Sequence, residues 1–209
     1  MALEKNINPF AYSSSDYTDI VKTQALKQAI DKYDFDLILG GARRDEEKSR
    51  SKEKVFSFRD QNHQWLPENQ RPEFFKLFNA KKKSGETFRV FPLSNWTELD
   101  IWQYIEKEKI DVCPLYFSKK RPVIRRAEKY LTVDDHRIPL EQNEIIYELN
   151  IRFRTLGCYP LTAGILSEAK TVPAIIDELK HNKYSERQGR LIDSDSTYSI
   201  GKKKTEGYF

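Results

Sequence analysis

The chain has 209 residues, which is enough for one domain or for one domain with an extension. Only 38% of the residues are hydrophobic and 33% are charged, so the core is thin for this length, while the 12% aromatic content excludes wholesale disorder. The net charge of +4 comes from 36 basic and 32 acidic residues that are interleaved, so it requires no nucleic-acid partner, and no apolar run approaches the ~20 residues of a membrane-spanning helix.

Cysteine and histidine usage argues against disulfides and metal sites. Cys113 and Cys158 are too few and too far apart for a disulfide framework or a metal knuckle. The three histidines are scattered and lack metal-ligand spacing. The first six residues contain no apolar signal-peptide stretch. We therefore expect a cytoplasmic protein that has neither metal ligands nor a nucleic-acid or membrane partner.

The first predicted elements are a helix and a short strand. Apolar residues at three- and four-residue spacing predict a helix over residues 17–33. The apolar run at 36–39 predicts a short buried strand, which Gly40 and Gly41 end. A helix, a short strand and a glycine turn in this order are typical of an α/β fold.

The same alternation continues past the glycine pair. Strands are predicted at 55–58 and at 88–91, on either side of a proline- and lysine-rich loop over 61–86. Thr97 and Asp100 have the spacing of a capping box, in which side chains satisfy the free N–H groups at the start of a helix.

The second half of the chain has weaker patterns. They predict one helix at 142–151 and another that begins near Pro173, since proline suits a first helical turn. These patterns divide the chain into an α/β domain at 1–110 and a mostly irregular C-terminal extension at 111–209.

The first candidate site is the segment Gly-Gly-Ala-Arg-Arg-Asp-Glu-Glu-Lys-Ser-Arg at 40–50. It follows a predicted strand, and ligands of open α/β sheets bind beyond the carboxyl ends of the strands. Paired glycines let the backbone approach a ligand, and the guanidinium groups of Arg43 and Arg44 suit phosphate or sulfate oxygens. The alternative is a glycine turn followed by a solvated charged helix.

The second candidate site is the segment 151–162. Arg152 and Arg154 alternate with apolar neighbours, so in an extended chain both project to one face, where two cations suit a dianion. The alternative is an edge strand with its polar side in water. Cys158, with no histidine nearby in sequence, is better explained as a small buried residue than as a nucleophile.

A third candidate is the segment 184–190, which contains Arg187 and Arg190. These arginines either join an anion site or cap a helix, and the sequence favours neither. The lysines at 202–204 are typical of a solvated tail.

Five separated motifs, taken together, resemble one family. They lie at 40–50, 90–102, 152–158, 185–190 and 207–209. In this order they resemble the small subunits (subunit 2) of bacterial heterodimeric sulfate adenylyltransferases, in the phosphoadenylyl-sulfate reductase branch of the PP-loop family. The resemblance implies an adenine-nucleotide α-hydrolase-like sheet with helices.

The resemblance also implies a reaction, in which ATP and sulfate form adenylyl sulfate and pyrophosphate at the start of sulfate assimilation. A sulfate oxygen must attack the α-phosphorus, so preorganised cations are needed to bring two anions together. The implied partners are ATP, sulfate and a larger GTPase subunit, with Mg²⁺ entering alongside ATP. By motif position, the expected anion-binding residues are Arg43, Arg44, Arg152, Arg154, Arg187 and Arg190.

The sequence departs from this family at one defining element, a Ser-Gly-Gly-Lys-Asp-Ser-like loop that cradles pyrophosphate. The eight glycines lie at 40, 41, 85, 157, 164, 189, 201 and 207, none of them in such a context. The chain therefore resembles the C-terminal two-thirds of the subunit, and we expect an incomplete sheet with exposed apolar edges.

Two other functions remain to be weighed. We expect no adenylyl sulfate from the 209-residue chain alone, so the main alternative is a non-catalytic fragment that binds the partner subunit. A sulfonucleotide reductase is disfavoured because residues 185–209 contain no cysteine.

Overall fold

Two β-sheets, each with its own helices, organise the protein. The computed structural model describes residues 7–8, 10–46, 53–73, 77–126, 128–134, 138–157 and 162–181. Within them the chain is mixed α/β and divides into two units, the first ending at Trp96 and the second beginning at Thr97. The boundary between the units therefore lies just before the helix that starts at the Thr97–Asp100 capping box. The sequence analysis placed the domain boundary after that helix, at residue 110.

The first unit begins with a helical stretch in three parts. These are α1 (Ser14–Thr18), a π-helical segment (Asp19–Gln24) and α2 (Ala25–Tyr33). The stretch ends at Asp34, whose φ of 51° lies in the left-handed region. The helix predicted over 17–33 is confirmed, although the periodicity gave no sign of its π-helical part.

A three-stranded sheet follows, formed by β1 (Leu37–Leu39), β2 (Phe56–Arg59) and β3 (Thr87–Val90). Their order is β1-β3-β2, with β1 parallel and β2 antiparallel to β3. All three predicted strands are confirmed, each to within a residue, but the prediction that the first of them is buried is wrong. Strand β1 pairs on one side only, and its Leu37 and Leu39 are 41% and 69% exposed. That the sheet is incomplete stays a prediction.

The two faces of this sheet differ. One face is apolar, where Phe58, Phe88 and Val90 form a buried cluster that the Arg71 guanidinium covers, 5.1 Å from the centroids of both phenylalanine rings. The opposite face is polar. Because β2 and β3 alternate apolar and polar residues in matching register, the polar side chains are collected on that face.

The second unit has two helices, α3 (Glu98–Glu108) and α4 (Val172–His181). The predicted capping box is present at the start of α3, and Pro173 lies in the first turn of α4, as expected. The helices share a core built on Trp102, Ile175 and Ile176. Neither these helices nor any other in the described ranges has the length and apolar character to cross a membrane.

The second unit also contains a four-stranded antiparallel sheet, which the sequence analysis missed. Its strands run in the order β5-β4-β6-β7. Their bounds are β4 Lys119–Arg126, β5 Lys129–Thr132, β6 Tyr147–Arg152 and β7 Ile165–Leu166.

One expectation is wrong here. The predicted helix at 142–151 gives way to β6, while the mostly irregular character of the extension stays a prediction. The adjacent Ile145 and Ile146 were consistent with the apolar face of a helix. Both are exposed in the structure, at 63% and 49%, so they form no buried helical face. Pairing with β4 and burial of Ile151 determine the strand instead, because tertiary packing overrides local periodicity.

Candidate functional site

The glycine–arginine segment leaves the carboxyl end of β1, as predicted. The Gly40 N–H donates to the Val90 carbonyl over 2.8 Å, and the Arg44 N–H donates to the Ser94 carbonyl over 2.9 Å. A Cβ at Gly40 would lie 2.7 Å from the Phe91 ring, whereas one at Gly41 would meet open space. Gly40 is therefore required for packing against Phe91.

The Arg44 guanidinium is held by the protein itself. Its Nε and Nη2 donate to the Glu53 carbonyl over 3.1 and 3.0 Å, and its Nη1 donates to Asn95 Oδ1 over 2.6 Å. Glu73 adds a carboxylate 3.8 Å from Nη2. Arg44 thus joins segments distant in sequence, a structural role that the sequence analysis did not foresee. Arg43 is buried.

Arg152 is fully buried at the end of β6 and forms an ion pair with α4. Its Nε and Nη2 donate to Glu178 Oε1 over 3.1 and 2.6 Å. The Ser167 hydroxyl donates to the other oxygen of Glu178. Since β6 lies between β4 and β7 and Arg152 is 0% exposed, the alternative of a solvated edge strand is wrong.

Arg154 forms a matching ion pair with α3. Its guanidinium makes two hydrogen bonds to the Glu98 carboxylate, and the side chains of both residues are buried. The intervening Phe153 packs in a separate apolar cluster with Ile151 and Val123. The alternation predicted for this segment is therefore present, with both guanidinium groups directed to carboxylates of α3 and α4.

These pairings restrict what Arg152 and Arg154 can bind. Each positive charge is already balanced by a glutamate, so a dianion that binds there must displace or share Glu178 and Glu98. Their role as a substrate clamp stays a prediction. Arg187, Arg190 and Cys158 lie outside the described residues.

The sequence analysis missed a second group of arginines, on the polar face of the β1-β3-β2 sheet. Four side chains lie there in two cross-strand pairs, Ser57 with Arg89 and Arg59 with Thr87. All four are buried, with Ser57 and Arg59 at 0% exposure. The repeated alternation of apolar and polar residues in 56–59 and 87–90 was the available signal, although it normally marks a solvated face.

Burial perturbs both of these arginines. Loss of hydration lowers the pKa of Arg59 to about 9, even though the Glu53 carboxylate opposes the shift, and the charge of Arg89 adds to the lowering. Burial alone lowers the pKa of Arg89 to about 10. Two guanidinium groups thus lie close enough to repel each other on a face that water does not reach.

An open pocket near the apolar face of the same sheet also carries basic groups. Its lining includes Arg71 and the lysines at 81–83, together with the acidic residues Asp60 and Glu86. Lys82 is bonded to Asp36, 2.6 Å away. The mixture of charges makes this pocket a weaker anion site than the buried arginines. In the described part of the chain, no three His, Cys, Asp or Glu side chains are grouped so as to hold a metal ion.

The first unit is a mixed α/β fold with an arginine segment at the carboxyl end of a strand, and comparison with known families specifies its family. Residues 2–164 match the phosphoadenosine phosphosulfate reductase domain, so the chain belongs to that family.

Within the family, the chain is similar to proteins named sulfate adenylyltransferase subunit 2. It is 60% identical to that of Sulfurimonas denitrificans, 59% to that of Psychromonas ingrahamii and 61% to that of Acinetobacter baumannii. Each match covers 99% of this chain and 68% of the relative. The resemblance drawn from the five motifs is confirmed.

Proposed function

We propose that the chain acts as subunit 2 of a sulfate adenylyltransferase, a nucleotidyltransferase that forms adenylyl sulfate and pyrophosphate from ATP and sulfate. The observation that carries this proposal is an identity of about 60% over 99% of the chain to relatives with that name. The reaction would place the chain at the entry to sulfate assimilation, and its use of ATP suits the cytoplasm.

The transfer joins two anions, so its main requirement is fixed positive charge. A sulfate oxygen attacks the α-phosphorus of ATP and forms a new bond to it. The bond between the α-phosphorus and the oxygen that bridges it to the β-phosphate breaks, and pyrophosphate leaves with the negative charge. Arginines held by protein acceptors, as Arg44, Arg152 and Arg154 are, lose little freedom when charge develops nearby. Arg43, Arg187 and Arg190 complete the proposed set. Mg²⁺ would enter as part of the ATP substrate and neutralise phosphate charge.

The proposed partner is a larger subunit that couples the unfavourable equilibrium to GTP hydrolysis. The name of the relatives, subunit 2, implies a second polypeptide in their enzyme. The GTPase activity of that polypeptide is part of the proposal.

A reconstitution assay tests this function. The phosphate-binding loop of the family has no counterpart in the printed 209 residues, so the assay compares this chain with a fusion that carries the unmatched third of the Sulfurimonas relative. With the large subunit, GTP, ATP and sulfate, we expect the fusion to release pyrophosphate and the 209-residue chain to release none. No sulfate-dependent release from the fusion would refute the proposal.

The second candidate function is a non-catalytic, partner-binding role, favoured by the same missing loop motif. It predicts that the 209-residue chain co-purifies with the large subunit and stays inactive even when the remaining third of a relative is supplied. The fusion therefore discriminates between the two functions, since only the first predicts that activity appears.

A further inference from the structure

The polar face of the β1-β3-β2 sheet, formed by Ser57, Arg59, Thr87 and Arg89, contains one arginine, Arg89, that the described residues leave without a hydrogen-bond partner. Arg59 Nη1 donates to Ser57 Oγ over 2.6 Å and to the Phe58 carbonyl over 3.0 Å. The buried Glu53 carboxylate accepts from the Ser57 hydroxyl and lies 3.9 Å from Arg59 Nη2. Glu53 is therefore a counter-charge for Arg59.

Arg89 is the residue left without a counter-charge. It is 4% exposed, and its Nε, Nη1 and Nη2 have no hydrogen-bond partner. Among the arginines in the described part of the chain, it alone has all three nitrogens buried and unbonded. The hydroxyl of Thr87, two residues before it on the same face, is also buried without a partner. A buried, unbonded cation strongly destabilises a folded protein, and an anion bound beside it would offset that cost.

The donors on this face suit a tetrahedral anion. One edge of a guanidinium presents two parallel N–H donors to an oxyanion, and the threonine hydroxyl supplies a third that a tetrahedral anion, with oxygens outside one plane, can also accept. Arg44, Arg152 and Arg154 differ in this respect, because each already donates to protein oxygens.

We propose that Arg89, assisted by Thr87 and Arg59, binds a tetrahedral oxyanion, either sulfate or phosphate. Arg89 supplies the fork, Thr87 supplies a hydroxyl donor, and Arg59 adds a second positive charge that Glu53 holds in place. That the bound anion is the sulfate substrate is a further step, which rests on the proposed function.

Thermal unfolding of the 209-residue chain tests the binding directly. The midpoint is measured in increasing sodium sulfate, and separately in sodium phosphate, against sodium chloride of equal ionic strength. We expect a saturable rise with one or both anions, because a ligand that binds only the folded state stabilises it. Sulfate also stabilises proteins by a general, non-saturating effect, so saturation is the discriminating feature.

Variants assign the effect to Arg89. R89M should lose the saturable rise, while having a midpoint in chloride that is no lower than that of the wild type. R89K and T87V should weaken the apparent affinity by roughly ten- to a hundredfold, which corresponds to the loss of hydrogen bonds to a charged group. R125M is the matched control, because Arg125 is an exposed arginine paired with Glu128, and it should respond as the wild type does.

Three results would overturn the site: no saturable rise in the wild type, a retained rise in R89M, or unchanged affinities in R89K and T87V. If R89M does not fold, R89K and T87V still decide. Saturable sulfate binding without sulfate-dependent pyrophosphate release from the fusion supports the site and rejects the proposed function. Pyrophosphate release from the fusion without anion binding at Arg89 supports the proposed function and rejects the site. Binding of phosphate but not of sulfate keeps the oxyanion site and rejects only the inference that its anion is the sulfate substrate.

Discussion

The buried arginines of this protein are of two kinds. Those that pair with a neighbouring carboxylate have a structural role, and an arginine without such a partner remains available to bind an anion. Arg152 and Arg154 are each matched by one glutamate, and Arg44 by backbone and side-chain oxygens. Arg89 is matched by nothing among the described residues. An arginine in a sequence motif indicates that the protein can bind an anion. The hydrogen-bond partners of each arginine in the structure determine at which of them an anion can bind.

Breaking one of these pairs should reveal how much the fold depends on it. In E178Q the carboxylate of Glu178 becomes a neutral amide, so Arg152, which is 0% exposed, keeps its charge without compensation. We expect a loss of about 3 kcal/mol in the free energy of unfolding, the low end of the range for a broken buried pair, because the Glu178 side chain is itself 26% exposed.

Urea unfolding measures this loss. The matched control is E168Q, since Glu168 is an exposed glutamate that accepts hydrogen bonds from Asn150, and it should change stability by less than about 0.5 kcal/mol. Equal effects of the two substitutions would show that the Arg152–Glu178 pair contributes no more than a surface contact.

Among the secondary-structure elements, those with local signals were predictable. Strand β1 carries a short apolar run, β2 and β3 alternate apolar and polar residues, and α3 begins where the Thr97–Asp100 spacing predicts. Strand β6 was not predictable, because its pairing with β4 depends on residues about 30 positions earlier in the chain. The polar face around Arg89 was missed for a similar reason, since register between β2 and β3 collects residues that the sequence separates.

The start of α3 offers a test of a local signal. In T97A the helix loses the hydroxyl that accepts from the Asp100 N–H over 3.1 Å and donates to the Asp100 carboxylate. We expect the free energy of unfolding to fall by about 1 kcal/mol, the usual cost of losing such a cap. T171A at α4 should cost less, because the Thr171 hydroxyl accepts from Ala174 over a long 3.4 Å. The prediction fails if T171A costs as much as T97A in urea unfolding.

At the scale of the whole molecule, two units with separate cores account for most of the described chain. The first has the α/β elements that the sequence predicted, together with an exposed apolar strand at one edge of its sheet. The second contains an antiparallel sheet that the sequence analysis did not predict. The chain matches about two-thirds of the length of its relatives. In a full-length relative, the pairing of the free edge of β1 and the partners of the Arg89 guanidinium are therefore the features to compare with this structure.

The unbalanced charge makes a prediction about global stability and pH. Burial lowers the pKa of Arg89 to about 10 and that of Arg59 to about 9, well below the ordinary range of a guanidinium group. Well below pH 9 both groups are charged in the folded and unfolded states, so the cost of burying them is constant. Above these values the folded state releases protons that the unfolded state keeps, so stability should rise with pH.

The measurement is the difference in free energy of unfolding between the wild type and R89M, in chloride, from pH 7 to pH 11. Titration of lysines and tyrosines affects both proteins and largely cancels in the difference. R89M should be the more stable protein at pH 7, where it lacks the buried charge of Arg89. Its advantage should shrink above about pH 10, as the folded wild type loses that charge. A constant difference up to pH 11 would mean that the Arg89 guanidinium is hydrated or paired in solution, and the argument for an anion at this face would then fail.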